Sequence, residues 1–123
     1  MGQMLIERIK SSGLPCELAA VGTNSIATSA MLKAGAQSGA TGENPVTVLS
    51  RDADVIIGPV GIIAADSMLG EITPAMAVAI GQSRAKKLLL PVNLCNNIIV
   101  GAGSMSLAKL ISETVDELAK LLK

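Results

Sequence analysis

The run DVIIG at residues 54–58 is the clearest strand in the sequence, and it indicates which kind of sheet the chain forms. An unbroken run of Val and Ile is typical of a strand that is covered on both faces, as in a parallel sheet. Outward from this run, a second buried strand is predicted in KLLLPV at residues 87–92 and a shorter one in CELAAV at residues 16–21. Because these strands alternate with helical segments, the sequence predicts an α/β fold with a mostly parallel sheet flanked by helices.

Four helices are predicted from apolar residues at helical spacing and from the residues that flank them. They cover residues 2–12, 25–36, 74–83 and 106–122. The third is the best marked, because Thr73 is a favoured N-cap and Pro74 a favoured first helical residue. In the second helix, the residues predicted to face the core are Ile26, Ala30, Met31 and Ala34.

Three segments are less clearly marked. Residues 35–44, GAQSGATGEN, are predicted to be a loop, and residues 45–49, PVTVL, fit either a β-branched strand or a short helix. Residues 98–100, IIV, are a candidate for an antiparallel hairpin at one edge of the sheet. The chain opens on a helix, whereas a right-handed βαβ unit begins with a strand, so either the sheet starts near Leu18 or its first strand has been lost. With no linker or repeat, one domain over residues 1–123 is expected.

The composition excludes several classes of function. Lys and Arg balance Asp and Glu at 10 each, so no net charge draws the chain to nucleic acid or to an anionic membrane. No Phe, Tyr or Trp is present to stack on bases, and no His is present to act as a catalytic base or zinc ligand. The first residues lack an apolar signal segment, and Cys16 and Cys95 fit reduced thiols. We therefore expect a cytoplasmic protein without nucleic-acid, membrane or metal partners.

Polar side chains are concentrated in three places that follow predicted strands, where ligands of open α/β sheets bind. The first is Gly22-Thr23-Asn24-Ser25, together with Thr28. The glycine lets the backbone turn closely, and the N–H groups of the next helix's first turn face outward with a partial positive charge. This predicts a phosphate or carboxylate site, with the hydroxyls of Thr23, Ser25 or Thr28 as further donors. Ordinary helix capping is the alternative, since Thr and Asn are favoured N-caps.

The second cluster runs from Gly58 through Thr73 and includes the long connection at residues 59–72, and Gly58 and Gly61 bracket a tight turn. Such long connections are uncommon unless they carry function. Asp66 and Glu71 are the acids near this crevice, which makes them the candidates for a catalytic base or for binding a ribose hydroxyl. Alternatively, Glu71 is a first-turn carboxylate favoured by the helix dipole, and Asp66 caps a short helical turn.

The third cluster is the turn NLCNN at residues 93–97, in which Asn93 is a candidate ligand-binding residue. Asn-rich turns are also ordinary hairpin chemistry. A lone cysteine such as Cys95 is more often a small buried hydrophobe than a reactive thiolate, which needs a nearby positive charge or helix N-terminus.

Four stretches carry a family resemblance: GTNSIATSAMLKAGA, GATGEN, DVIIGPVGIIAADSMLGEITPAMA and AKKLLLPVN. Together they cover most of the chain and resemble an uncharacterised bacterial family of small Rossmann-like proteins of unknown function. The resemblance implies a Rossmann-like three-layer domain. It also implies that a short strand and a Gly-rich turn precede the segment matching Gly2, and only Met1-Gly2 of that turn stands here. The lack of this phosphate loop argues against classical dinucleotide binding.

A weaker likeness connects GTNS, DVIIGPVGI and LLLPVN to the strand-loop patterns of the sugar-phosphate isomerase and ribose-isomerase superfamily. Three hypotheses follow: a binding domain for a phosphorylated metabolite or nucleotide, an isomerase-type enzyme that uses Asp66 or Glu71 as acid and base, and a non-catalytic assembly partner. High hydrophobicity in a small domain with a free sheet edge further predicts a homodimer. The sequence identifies no cofactor.

Overall fold

The computed structural model describes residues 1–92, 94 and 96–123 and confirms a small α/β fold. Its elements are α1 (Gly2–Ser11), β1 (Ala19–Gly22), α2 (Ser25–Ala34), β2 (Ser38–Thr41), α3 (Glu43–Ser50), β3 (Val55–Pro59), α4 (Pro74–Gln82), β4 (Lys86–Leu90) and α5 (Leu107–Leu121), with a 3-10 helix at Val60–Ile63. The chain divides into two compact units, residues 1–42 with 105–123 (unit 1) and residues 43–104 (unit 2). A single domain over the whole chain stays a prediction. None of the described helices has the length and apolar character required to cross a membrane.

In unit 1 the strands β1 and β2 run parallel, with Ala19 opposite Ser38 and Gly22 opposite Thr41. Helix α1 packs against both α2 and α5. The buried residues of the core beside β1 are Ile6, Ala20 and Ala36, and the half-buried residues packed on them are Leu18, Met31 and Ala34. Aliphatic side chains and alanines thus fill this unit without any aromatic ring.

Helices α1 and α2 begin at the predicted residues, whereas α1 ends one residue and α2 two residues before the predicted end. Helix α1 is followed by Gly13 at φ +68°, a left-handed conformation that glycine adopts without steric cost. Helix α2 is capped by Asn24, whose side chain accepts a hydrogen bond from the Ala27 N–H. Gly35 ends it at φ +123°. Short-range capping chemistry therefore fixes these boundaries.

In unit 2 the strands β3 and β4 run parallel, with Val55 opposite Lys86 and Pro59 opposite Leu90. Helix α4 starts as predicted, with Thr73 at the N-cap and Pro74 at the first helical position. The buried core residues here are Ile72, Met76 and Ala77, and the half-buried residues packed on them are Val46, Ile62 and Met68.

Two of the unclear segments take a different form from the one predicted. The loop predicted for residues 35–44 contains strand β2, which has little intrinsic strand preference and forms by pairing with β1. Residues 98–100 form no described strand, so the hairpin there is wrong. Short-range turns form instead, since the Asn97 N–H donates to the Leu94 carbonyl and the Ala102 N–H to the Ile99 carbonyl. Of the alternatives for residues 45–49, the helix is correct.

The inward face predicted for helix α2 is partly wrong. Ile26 is 82% exposed, whereas Thr28 is buried. Thr28 takes the inner position in the first turn because its hydroxyl lies within hydrogen-bond distance of the Ala40 carbonyl and the Thr41 hydroxyl of β2. A polar contact therefore determines which side of this turn faces inward.

Candidate functional site

The carboxyl ends of β1 and β2 lie side by side in unit 1 and lead directly to the start of α2. Gly22 and Thr41 are opposite each other in the parallel register, and the Gly42 N–H donates to the Gly22 carbonyl at 3.1 Å. Only Thr23 and Asn24 separate β1 from α2. We call residues 22–26 the strand-end cradle. It is the edge at which ligands of parallel sheets bind.

The first turn of α2 exposes backbone donors. Asn24 Oδ1 accepts the Ala27 N–H at 2.9 Å, which satisfies the third donor of the helix. The N–H groups of Ser25 and Ile26 come first in the helix, where no helical carbonyl is in position to accept them. Asn24, Ser25 and Ile26 are exposed, so an anion in solution can approach these donors at the positive end of the helix dipole.

Gly22 has a steric requirement that the sequence alone did not reveal. A Cβ at this position would lie 2.7 Å from the Thr28 backbone nitrogen and 2.9 Å from the Asn24 carbonyl oxygen. The absent side chain therefore makes room for the first turn of α2 itself. The cradle depends on this glycine because the helix begins so close to the strand.

Thr28 lies beneath the cradle, where it is buried. Its Oγ1 is 3.1 Å from the Asn24 carbonyl oxygen, 3.2 Å from the Ala40 carbonyl oxygen and 2.8 Å from Thr41 Oγ1. A single hydroxyl proton serves one of these oxygens at a time, so the protein already occupies this group. Thr28 thus connects α2 to β2 and supports the cradle from below, while Thr23 is half-buried at the end of β1.

An open groove of about 430 Å³ runs along α2 from the cradle. Its lining residues are Gln3, Ser25, Ile26, Ser29, Ala30 and Lys33. Ser25, Ser29 and Lys33 recur every four residues and share one face of α2. That spacing was readable in the sequence and was missed, whereas Gln3 on α1 and Thr41 on β2 reach the site only through tertiary packing.

In unit 2 the two predicted glycines serve the packing of the chain itself. Gly58, in β3, is buried, and a Cβ there would lie 3.0 Å from Ile62 Cδ1. Gly61, in the 3-10 helix, is also buried, and its carbonyl accepts a hydrogen bond from Ser67 Oγ at 2.5 Å. Gly58 thus lies in the strand that leads into the long connection from β3 to α4, and Gly61 lies within that connection.

The two predicted acids belong to that same connection and are exposed to water. Asp66 has φ +65°, and its N–H donates to the Ile72 carbonyl at 2.7 Å. Glu71 lies two residues before Thr73, the N-cap of α4, so its assignment to the first turn of that helix is wrong. The structure thus places Gly58, Gly61, Asp66 and Glu71 in unit 2, and the cradle residues in unit 1.

The remaining residues that the sequence singles out are Asn93 and the two cysteines. Asn93 and Cys95 lie outside the described residues. Cys16 is half-buried near the start of β1. Across residues 1–92, 94 and 96–123, no three Cys, Asp or Glu side chains gather closely enough to hold a metal ion.

The fold and the cradle define a small α/β protein with open backbone donors at the carboxyl end of a parallel strand pair. The chain belongs to the family described as a domain of unknown function (DUF3842), whose family model matches residues 1–123. This match agrees with the resemblance to an uncharacterised family. No curated protein and no solved structure matches the chain.

Proposed function

We propose that unit 1 binds a small phosphate-bearing ligand, either a phosphorylated metabolite or a nucleotide, at the strand-end cradle. One observation carries the proposal: the N-terminus of α2 is exposed directly beyond the carboxyl end of β1. There the N–H groups of Ser25 and Ile26 have no acceptor within the helix. An anion completes these hydrogen bonds and gains from the helix dipole.

Phosphate suits this place better than a neutral group does. The aligned peptide dipoles give the helix start roughly half a positive elementary charge. Hydrogen bonds from backbone donors to a charged oxygen are worth about 1.5–3 kcal/mol, roughly twice those to a neutral acceptor. The exposed Ser25 hydroxyl adds a donor on the same turn.

The groove along α2 accommodates the rest of such a ligand. Lys33 lies eight residues after Ser25, which corresponds to about 12 Å along the helix axis. No acidic side chain of the described residues forms an ion pair with Lys33. Ser29 and Gln3 offer polar groups between these two points, and Ile26 and Ala30 offer apolar surface. A ligand with a phosphate at one end and polar groups along its length fits this order.

The proposal concerns binding and assigns no reaction. The assignment of Asp66 or Glu71 as acid and base of an isomerase-type enzyme is still a prediction from the sequence. A ligand panel addresses both hypotheses, because stabilisation by sugar phosphates but not by orthophosphate would direct attention to these two carboxylates.

A dye-based thermal-shift panel tests the proposal, since no tryptophan is present to report unfolding. The panel contains orthophosphate, sugar phosphates, nucleotides and dinucleotides. We expect at least one phosphate-bearing ligand to raise the Tm of the parent chain, and we expect Thr23→Ala combined with Ser25→Ala to reduce that rise. Ser106→Ala is the matched control, because Ser106 caps α5 by accepting the Lys109 N–H at 3.2 Å, away from the cradle.

The control should lower the Tm without ligand and keep the ligand-induced rise. If the cradle double variant instead lowers the Tm and leaves ligand binding unchanged, capping alone explains the polar residues at this turn. A folded parent chain that responds to no compound in the panel would also contradict the proposal.

A further inference from the structure

We propose that the ligand of the strand-end cradle carries a second anionic group, which Lys33 binds at the other end of the groove along α2. This second site rests on the function proposed above and specifies its ligand, a sugar or polyol phosphate with an anionic group at each end. The groove joins the two places directly, since both Ser25 and Lys33 line it.

Lys33 supplies the positive charge for this second site. It is the one charged residue in the lining of the groove and the one charged residue of α2. Its side chain is exposed, and among the described residues no oxygen accepts a hydrogen bond from its ammonium group. A lysine in the last turn of a helix also interacts favourably with the helix dipole, but that interaction requires no particular face. Lys33 lies on the face that Ser25 and Ser29 share.

The polar groups between these two ends favour neutral hydroxyl groups of a ligand. Gln3 lines the groove, and its side-chain amide donates to Glu7 Oε1 at 3.3 Å, so a carboxylate lies next to this residue. A nearby carboxylate disfavours a further anion there. The carbonyl oxygen of Gln3 accepts a hydrogen bond from a ligand hydroxyl, and the Ser29 hydroxyl accepts or donates one.

The reach of Lys33 determines how far apart the two anionic groups lie. The Cα atom of Lys33 is about 12 Å along the helix axis from that of Ser25. Long side chains of a helix lean toward its N-terminus, which brings the ammonium group back toward Ser29, about 6 Å from Ser25 along the axis. The two anions are therefore between about 6 and 12 Å apart, a separation that an extended six-carbon polyol covers.

Two compounds that differ at one end test the second site by titration calorimetry on the full chain. One is 6-phosphogluconate, which has a carboxylate at the end opposite its phosphate. The other is sorbitol 6-phosphate, which has a neutral hydroxyl group there. We expect the parent chain to bind 6-phosphogluconate roughly three- to fivefold more tightly at low salt, as for an exposed ion pair, and this preference should shrink as salt is added.

Three variants separate the second site from the cradle. Lys33→Gln should lower the affinity for 6-phosphogluconate to that for sorbitol 6-phosphate. Lys109→Gln is the matched control and should keep the preference, because it removes the same charge from an exposed residue of unit 1 outside the groove. Ser25→Pro should weaken both compounds by the same factor, since each has its phosphate at the cradle.

Equal affinities of the parent chain for the two compounds would overturn the second site, and a loss of both affinities in Ser25→Pro would still support the phosphate site. A preference that persists in Lys33→Gln also overturns the second site, and a lower Tm of that variant would then assign Lys33 to the stability of α2. If neither compound binds to the folded parent chain, the proposed function and the second site fail together.

Discussion

In each unit a parallel strand leads into a helix, but the two connections at the carboxyl ends of these strands differ in length. In unit 1 only Thr23 and Asn24 separate β1 from α2. In unit 2 residues 60–73 separate β3 from α4, and the chain turns back on itself within them. The Ser67 hydroxyl donates a hydrogen bond to the Gly61 carbonyl, so two parts of this connection are held together by an internal hydrogen bond.

The first residues of α4 and α2 also differ in whether they offer a backbone N–H group. Helix α4 begins with Pro74, which has no N–H to offer, whereas α2 begins with Ser25, which has one. Both helices are capped by a side chain that accepts the third N–H group. The short connection therefore brings the backbone donors at the start of α2 directly to the strand end, whereas the long connection leads to a helix that begins with proline.

The largest effect should come from adding a methyl group to the glycine at each strand end. Gly22→Ala should destabilise the chain by about 3 kcal/mol, because the new Cβ meets backbone atoms of α2 that cannot move independently. Gly58→Ala should cost about 1 kcal/mol or less, because its nearest neighbour is the flexible tip of Ile62. Urea unfolding measures both, and equal costs would contradict the close approach of α2 to β1.

Removal of the buried hydroxyl under the cradle should have the next largest effect. Thr28→Val keeps the shape of the side chain and removes the buried hydroxyl, whose proton is shared among the Asn24 carbonyl, the Ala40 carbonyl and Thr41 Oγ1, at a cost of about 2 kcal/mol. Thr47→Val is the control, since the Thr47 hydroxyl donates to the Glu43 carbonyl at the exposed surface of α3, and it should cost under about 1 kcal/mol. Chemical denaturation compares them. A stable Thr28→Val variant would mean that α2 does not depend on this contact.

The two N-caps should be nearly equal in their contribution to stability. Asn24→Ala and Thr73→Ala should each lower the free energy of unfolding by about 1 kcal/mol, because each leaves one backbone N–H without its acceptor. Equality in a denaturant titration would show that the units differ in their free donors and not in capping. A cost near zero for Asn24→Ala would argue that the first turn of α2 is already frayed.

The smallest effect should come from the turn that closes the connection in unit 2. Leu69 has φ +56° and a fully exposed side chain, so it bears the cost of a left-handed conformation without a packing gain. Leu69→Gly should stabilise the chain by about 0.5 kcal/mol, and Leu69→Ala, which keeps the Cβ, should leave stability unchanged. A higher Tm for the Ala variant than for the Gly variant would contradict this explanation.

Local signals in the sequence were sufficient for much of the fold. Thr73 and Pro74 predicted the start of α4, and the apolar run at residues 54–58 predicted β3 within one residue. The apolar stripe near the C-terminus predicted α5 in the same way, with Ser106 as its N-cap. In each case the deciding interaction joins residues that are close along the chain.

Features that depend on distant residues were not predictable. Strand β2 consists of Ser, Gly, Ala and Thr, and only its pairing with β1 makes it a strand. The exposure of Ile26 follows from hydrogen bonds between Thr28 and residues of β2. For the site, the cradle was readable from the capping residues, whereas Gln3 entered the groove through the packing of α1 on α2.

The central claim is that the N–H groups at the start of α2 hold an anion, and Ser25→Pro tests it most directly. Proline is tolerated at the first position of a helix, and Asn24, at φ −145° and ψ 165°, has the extended conformation that a following proline requires. The substitution removes one N–H while the helix is kept. Ser25→Ala is the control, because it removes the hydroxyl and keeps the N–H.

The measurement is the dissociation constant of the phosphate-bearing ligand with the strongest effect in the panel, determined by titration calorimetry. We predict that Ser25→Pro weakens binding at least about tenfold, as expected for the loss of a hydrogen bond to a charged oxygen, and that Ser25→Ala weakens it less. A Ser25→Pro variant that folds normally and binds as tightly as the parent chain would contradict the claim.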